Sequence, residues 1–338
     1  MALRIRRLEF TPSELKAAAL ANAALALVPR LKTDAWRLTA GQWLSVRFGS
    51  AAEQLSALWL QRQGVTVQTL DLPSPTGAVT VRVLRPAGPA RGVVLDIHGG
   101  GWVVGSAGLN DGLNAHLVEA GLAVVSVDYR LLNEVRDIRL EHAVSDCLVA
   151  GRWLAASAEA EFGTRRLLVT GESAGAHLGA LTALALRDEG RFGDFIGCVF
   201  AYGVFDLSGT PSVRAAGPET LLLNGPTLAA DLGRLAPGRD EAGRRAPDVS
   251  PLHADLSGLP PALFLYGEID PLRDDSRLMA QAWGELSDAD LIELPATPHG
   301  FLHFGSAAAA KGWDAIMEWL EIRLPEISRS ESVDNAKR

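Results

Sequence analysis

The sequence predicts a mostly parallel, doubly wound α/β sheet of eight strands, on three observations. Short apolar runs of strand length recur from residue 65 onward, helix-like segments alternate with them, and the runs at 93–98 and 122–127 are almost continuously apolar, as parallel strands covered on both faces must be. Before that series, residues 12 to about 62 read as largely helical, with Leu, Ala and Trp at helical spacing. Thr11-Pro12-Ser13-Glu14 marks a helix start, with Thr11 as N-cap, Pro12 in the first helical position and Glu14 reaching back as a capping box; Pro29 stops the helix. Strands follow at 65–70 and at 79–84, where the alternation of the second suits an edge strand, and then at 93–98 and 122–127. Helices are expected at 113–120 and 143–158, and strands at 167–170, 197–200, 262–266 and 290–294. Between Asp206 and Leu252 the alternation breaks into Gly, Pro, Arg and Asp around Leu221-Leu222-Leu223. A break of that length inside a sheet domain reads as an insert, since long structureless loops are uncommon. The expected organisation is a helical segment at 1–62, a sheet domain at 63–206 and 250–327 with an insert at 207–249, and a polar, disordered tail at 328–338, after a last helix at 307–324.

Composition narrows the function. A chain of 338 residues with 48% hydrophobic and 21% charged residues can bury a large core. A net charge of −8 with only four lysines offers no broad basic surface, which argues against nucleic acid as a partner. Cys147 and Cys198 are too few and too far apart for a zinc site or a disulfide framework, so neither metal nor disulfide is expected, and two buried thiols suit a reducing, cytoplasmic location. Arg4, Arg6 and Arg7 ahead of an alanine-rich stretch resemble a signal peptide only superficially, because Glu9, Glu14 and Lys16 interrupt it. No apolar run reaches the roughly 20 residues of a membrane span.

The most informative motif is Gly171-Glu172-Ser173-Ala174-Gly175, directly after the apolar run 167–170. It fits G-x-S-x-G, in which a strained strand-to-helix turn presents a serine hydroxyl at the carboxyl edge of a sheet, with glycines where the backbone packs closely. His98-Gly99-Gly100-Gly101-Trp102 follows the third strand, and its bare peptide N–H groups can approach a ligand oxygen; the amides of Gly100, Gly101 and Ala174 are the candidate oxyanion donors. A phosphate loop is the rival reading, but Val104 breaks G-x-G-x-x-G and no Gly-Lys-Ser/Thr occurs. Asp270 and His299 each follow a strand, at the edge where open α/β sheets build their sites. The order Ser173, Asp270, His299 differs from the chymotrypsin and subtilisin orders. Glu268, Asp274 and Asp275 compete with Asp270 for the carboxylate, and His303 and His177 compete with His299. His177, one turn along the serine's own helix, reads as structural because a base there approaches from the wrong side.

With these motifs in place the chain resembles the hormone-sensitive-lipase family of α/β-hydrolases, the bacterial family IV esterases. His98 to Trp102 and Gly171 to Gly175 carry the resemblance, supported by Asp128-Tyr129-Arg130, Ser250-Pro251-Leu252, Leu259-Pro260-Pro261, Asp270 to Asp274 and His299-Gly300-Phe301, over about residues 80 to 320. The resemblance implies an α/β-hydrolase fold with Ser173 as nucleophile, Asp270 as acid, His299 as base, and Gly100, Gly101 and Ala174 as oxyanion hole. It also implies a cap built from the N-terminal helices and the insert, and frequent homodimers. Two departures stand out. Leu131-Leu132-Asn133-Glu134 lacks the family's proline, in a loop expected to border the core rather than the chemistry, and Glu172 replaces the more usual aspartate.

The expected activity is hydrolysis of short- to medium-chain acyl esters, a small-molecule substrate handled without cofactor or membrane insertion. An amidase or deacetylase on the same residues, or a ligand-binding receptor on the same scaffold, are the alternatives. Trp102, Phe205, Trp36, Trp43 and Leu221 to Leu223, Leu222 among them, are the expected pocket walls.

Overall fold

The computed structural model describes residues 2–30, 42 and 53–324. Trp36, Trp43 and the tail at 328–338 lie outside the described residues.

All eight expected strands are present: β2 (Thr66–Ser74), β3 (Gly77–Arg85), β4 (Gly92–Ile97), β5 (Leu122–Val127), β6 (Leu167–Glu172), β7 (Phe195–Ala201), β8 (Ala262–Gly267) and β9 (Ala289–Leu294). A ninth, β1 (Leu3–Arg7), corrects the expected count of eight and lies ahead of the predicted helical stretch: it runs parallel to β9, with Leu3 opposite Ala289 and Arg7 opposite Glu293. Its three arginines hide it from a hydrophobic pattern. Their partners are supplied by tertiary structure, with Arg4 on Asp290, Arg6 on Glu318 and Arg7 on Glu268 and Glu293.

The sheet order is β1-β9-β8-β7-β6-β4-β5-β3-β2. Every pairing from β1 across to β5 is parallel, while β3 runs antiparallel to β5 and β2 antiparallel to β3. The alternating strand at Val79 is therefore internal and the sheet ends at β2, because the hairpin at Ser74 and Gly77 folds β2 onto its outer side. Every residue of β4, β5, β6 and β8 is buried. Along β4, Val93, Leu95 and Ile97 enter one apolar layer and Val94 the other, which is the period-2 alternation of a sheet covered on both faces.

One face is covered by α4 (Leu140–Phe162), α5 (Ala174–Asp188) and α9 (Arg273–Leu286), the other by α3 (Asp111–Glu119) and α10 (Ala307–Glu321). At the centre of the first layer Phe200, Phe205, Phe264 and Trp283 meet largely edge to face, with ring centroids 5.6–6.1 Å apart. Full burial of each such ring is worth about 1.5–3 kcal/mol. Helix α1 (Pro12–Leu25) carries the expected capping box between Thr11 and Glu14, and lies against α10 through a Glu14 to Lys311 ion pair. A second helical stretch, α2, covers residues 53–62. The insert between β7 and β8 contains α6 (Pro211–Arg214), α7 (Gly225–Arg234) and α8 (Glu241–Arg244). No helix among the described residues is long and apolar enough to cross a membrane.

Candidate active site

The sharp turn between β6 and α5 sets the position of Ser173. Its backbone is left-handed (φ 55°, ψ −120°), a conformation non-glycine residues rarely adopt and one that neighbouring contacts must hold. The flanking glycines explain how the chain passes: a Cβ at Gly171 would strike the backbone of Gly175, and one at Gly175 would strike the carbonyl oxygen of Ile97 in β4.

The turn delivers the Ser173 hydroxyl to His299. Ser173 Oγ lies 2.9 Å from His299 Nε2, and His299 Nδ1 lies 2.9 Å from Asp270 Oδ2. Asp270, at the end of β8, is completely buried, and its second oxygen accepts the Leu272 N–H at 2.8 Å. An ionised carboxylate can only accept, so His299 Nδ1 carries a proton and Nε2 is free to take one from serine. Burial pushes the His299 imidazole towards neutrality, but the charge and hydrogen bond of Asp270, aided by Glu172, outweigh it and raise the pKa above the ordinary histidine value.

Beside the serine runs the glycine loop after β4. Gly100 and Gly101 have φ of 105° and 60°, and among the described residues nothing accepts from their N–H groups. The Ala174 N–H opens α5, where the helical ladder has no acceptor for it. These amides and the positive end of the helix dipole make a field suited to an oxygen anion. Ser173, His299, Gly100 and Gly101 all open onto one cavity of about 640 Å³, within the range of small-molecule sites. The insert contributes a leucine-rich lining, Leu222, Leu223, Leu228, Leu232 and Leu235, interrupted by Asn224, Asp231 and Arg234.

Comparison with known proteins agrees with this architecture. Residues 94–303 match the family described as alpha/beta hydrolase fold, a span that includes the elbow, the glycine loop, Asp270 and His299. The chain belongs to the α/β-hydrolase family. An acetyl esterase of Salmonella schwarzengrund (strain CVM19633) is 30% identical over 245 residues, covering 71% of this chain and 74% of that protein. Among solved structures, an esterase of Pyrobaculum calidifontis superposes with a TM-score of 0.76 at 28% identity, covering 94% of this chain and all of the other. An esterase from the bacterial hormone-sensitive lipase family gives 0.70 at 26% identity over 94% of this chain and 100% of its own.

Within the hydrolase, the rival candidates are otherwise engaged. Glu268 binds Arg7 and the Ala296 N–H, Asp274 accepts from the Ser212 N–H, and Asp275 accepts from the backbone of Phe205 and Asp206 and from the Thr210 hydroxyl. His177 is fully buried, as a structural histidine should be. His303 does reach the cavity, yet it faces Glu172 at 3.5 Å rather than the serine. Glu172 also accepts the Gly99 N–H, so this carboxylate tethers the glycine loop from behind. Burial pushes Glu172 up, but His303 and the Gly99 N–H more than offset it and hold it below the usual carboxylate range. Burial in turn lowers His303, and Glu172 overrides this to raise it.

Three expectations about the pocket need correction. Phe205 does not line the cavity: it is fully buried, with its ring packed against the apolar rings of Phe200 and Phe264 in the core, while its backbone N–H donates to Asp275. The loop at Leu131 to Glu134 does border the site, since the Leu132 N–H donates to the Trp102 carbonyl at 2.8 Å and Leu132, Asn133 and Glu134 line the cavity. Trp102, Leu222 and Leu223 line the cavity, and Leu221 does not. Tyr129, which the sequence places only in a family motif, donates its hydroxyl to the carbonyls of His98 and Gly99 and stacks on the His98 ring at 4.3 Å.

Proposed function

We propose that this carboxylic ester hydrolase works through an acyl-enzyme on Ser173, with His299 as general base and acid and Asp270 as its orienting carboxylate. The observation that carries the reading is the hydrogen-bonded chain from Ser173 Oγ through His299 to Asp270, 2.9 Å at each step, opening onto a cavity beside a glycine loop whose Gly100 and Gly101 amides have no acceptor among the described residues. In this mechanism His299 takes the serine proton as Oγ attacks the ester carbonyl, and Asp270 holds the tautomer and stabilises the imidazolium. The N–H groups of Gly100, Gly101 and Ala174 receive the tetrahedral oxyanion, each such donor being worth on the order of 3 kcal/mol at the transition state. His299 then protonates the leaving alcohol, and the same base activates the water that releases the acid.

The substrates in this reading are short- to medium-chain acyl esters. A cavity of about 640 Å³ with a leucine-rich lining has room for an apolar acyl chain, and the acetyl esterase among the relatives supports the short end of the range. The test is Ser173→Ala assayed on p-nitrophenyl acetate and butyrate. Hydrolysis should vanish while the fold, followed by circular dichroism, is kept; undiminished turnover refutes the assignment. A matched ester and anilide pair separates esterase from amidase, with faster ester turnover expected.

A further inference from the structure

The glycine loop poses a mechanical problem that its glycines do not solve. Gly100, Gly101 and Trp102 are three consecutive residues with left-handed backbone, and the third is a tryptophan with φ of 64°. A bulky residue holds such a conformation only where its surroundings fix it. The near end of the loop is fastened by Glu172 and Tyr129, which bind the Gly99 N–H and the carbonyls of His98 and Gly99.

The far end is fastened by the Trp102 side chain. Its indole Nε1–H donates to His177 Nδ1 at 3.2 Å, and the two rings meet edge to face with centroids 5.3 Å apart. His177 lies on α5 one turn beyond Ser173, and its Nε2 is 2.8 Å from the Val249 carbonyl oxygen, where the insert returns to the sheet domain. An indole nitrogen can only donate and a carbonyl can only accept. These two neighbours therefore dictate a neutral imidazole with a bare Nδ1 and a proton on Nε2. Complete burial supports that state, lowering the pKa to about 4.

We propose that His177 is a positioning residue for the oxyanion hole: through Trp102 it holds the Gly100 to Trp102 backbone, whose two glycine amides have no acceptor among the described residues, against the nucleophile helix, and through Val249 it ties that geometry to the insert that lines the cavity. The proposal rests on the acyl-enzyme reading. A histidine with a purely structural role would hold the same two hydrogen bonds to satisfy its buried nitrogens, but its replacement would change stability without changing the chemical step.

The test uses the full chain and p-nitrophenyl butyrate. His177→Leu removes both hydrogen bonds, Trp102→Phe removes the donor alone, and His177→Gln supplies an amide oxygen for the indole and an NH₂ for Val249. His177→Leu and Trp102→Phe should each lower kcat about 10- to 100-fold, with KM moving less than about threefold, because misplacing an oxyanion donor weakens transition-state binding selectively. His177→Gln should restore most of the lost kcat. The double variant His177→Leu/Trp102→Phe should be no slower than the slower single variant, since both break one link. The proposal is overturned if His177→Leu lowers the melting temperature but keeps kcat within threefold, or if the two losses multiply. Should His177→Leu fail to fold, Trp102→Phe with unchanged kcat overturns it equally. Ser173→Ala run alongside separates the two ideas: residual full activity there sinks the acyl-enzyme reading, whereas an inactive Ser173→Ala beside a fully active His177→Leu sinks only the role of His177.

Discussion

Replacing Asp270 by asparagine keeps the shape of the side chain and changes only what its atoms can do. The two carboxylate oxygens serve two donors, His299 Nδ1–H at 2.9 Å and the Leu272 N–H at 2.8 Å. Asparagine has one oxygen for these two N–H groups. If that oxygen stays on Leu272, the NH₂ faces His299 and forces Nδ1 to accept; the imidazole proton moves to Nε2, which then cannot take the proton of Ser173. If the amide turns round, its NH₂ meets the Leu272 N–H in a completely buried turn, where an unpaired donor costs about 1–3 kcal/mol. The first orientation should dominate, and it supplies the wrong tautomer. The lost charge acts in the same direction, since a unit charge 2.9 Å from the imidazolium is worth roughly 6 kcal/mol at an effective dielectric constant of about 20. A fall in kcat of about 10⁴, equivalent to about 5 kcal/mol of barrier, is the expected result. The assay is initial rates on p-nitrophenyl butyrate near pH 7.5, with thermal melts showing that the variant is folded. A folded Asp270→Asn enzyme within tenfold of the parent would refute the tautomer argument.

Further expectations concern pH, packing and substrate length. Glu172→Gln removes a negative charge that helps raise the His299 pKa, so the imidazolium is less favoured and the acid limb of kcat/KM should move to lower pH; a pH-rate profile that stays put or moves upward contradicts this. Gly175→Ala drives a Cβ into the Ile97 carbonyl, and a loss of about 3 kcal/mol or more in urea unfolding is expected; unchanged stability would mean that the elbow can shift away from β4. Leu232→Trp fills part of the space beside the leucine-rich lining and should shift the optimum on a p-nitrophenyl ester series to shorter acyl chains, an expectation that fails if the longest active chain is unaltered.

Much of this architecture is legible in one sequence because buried parallel strands leave continuous apolar runs, and because the elbow and the glycine loop have to be written in glycine. The order Ser173, Asp270, His299 follows from the same logic, since each sits just beyond a strand at one edge of one sheet. Features made by long-range pairing are not legible. Leu3–Arg7 reads as a charged segment until Asp290, Glu293 and Glu318 stand beside it. Phe205 follows a strand just as the site residues do, and only its packing against Phe200 and Phe264 shows that it points inward. The link between His303 and Glu172, and that between Trp102 and His177, join residues 131 and 75 positions apart, and no local pattern announces either.

The pairing of β1 with β9 has a consequence for how the molecule is made. Residues 3–7 bind residues 289–293 across a sequence separation of 286. On the ribosome they emerge before every other strand of the sheet and must wait unpaired until β9 has been synthesised, so this ladder is a late event with a large closure entropy. A waiting strand is an aggregation hazard unless its composition discourages wrong partners. Three arginines in five residues provide that protection, repelling other copies of the same segment until the acidic side chains of the last strand and α10 arrive to neutralise them. The features that make β1 look unlike a strand are therefore the ones that keep it available to become one.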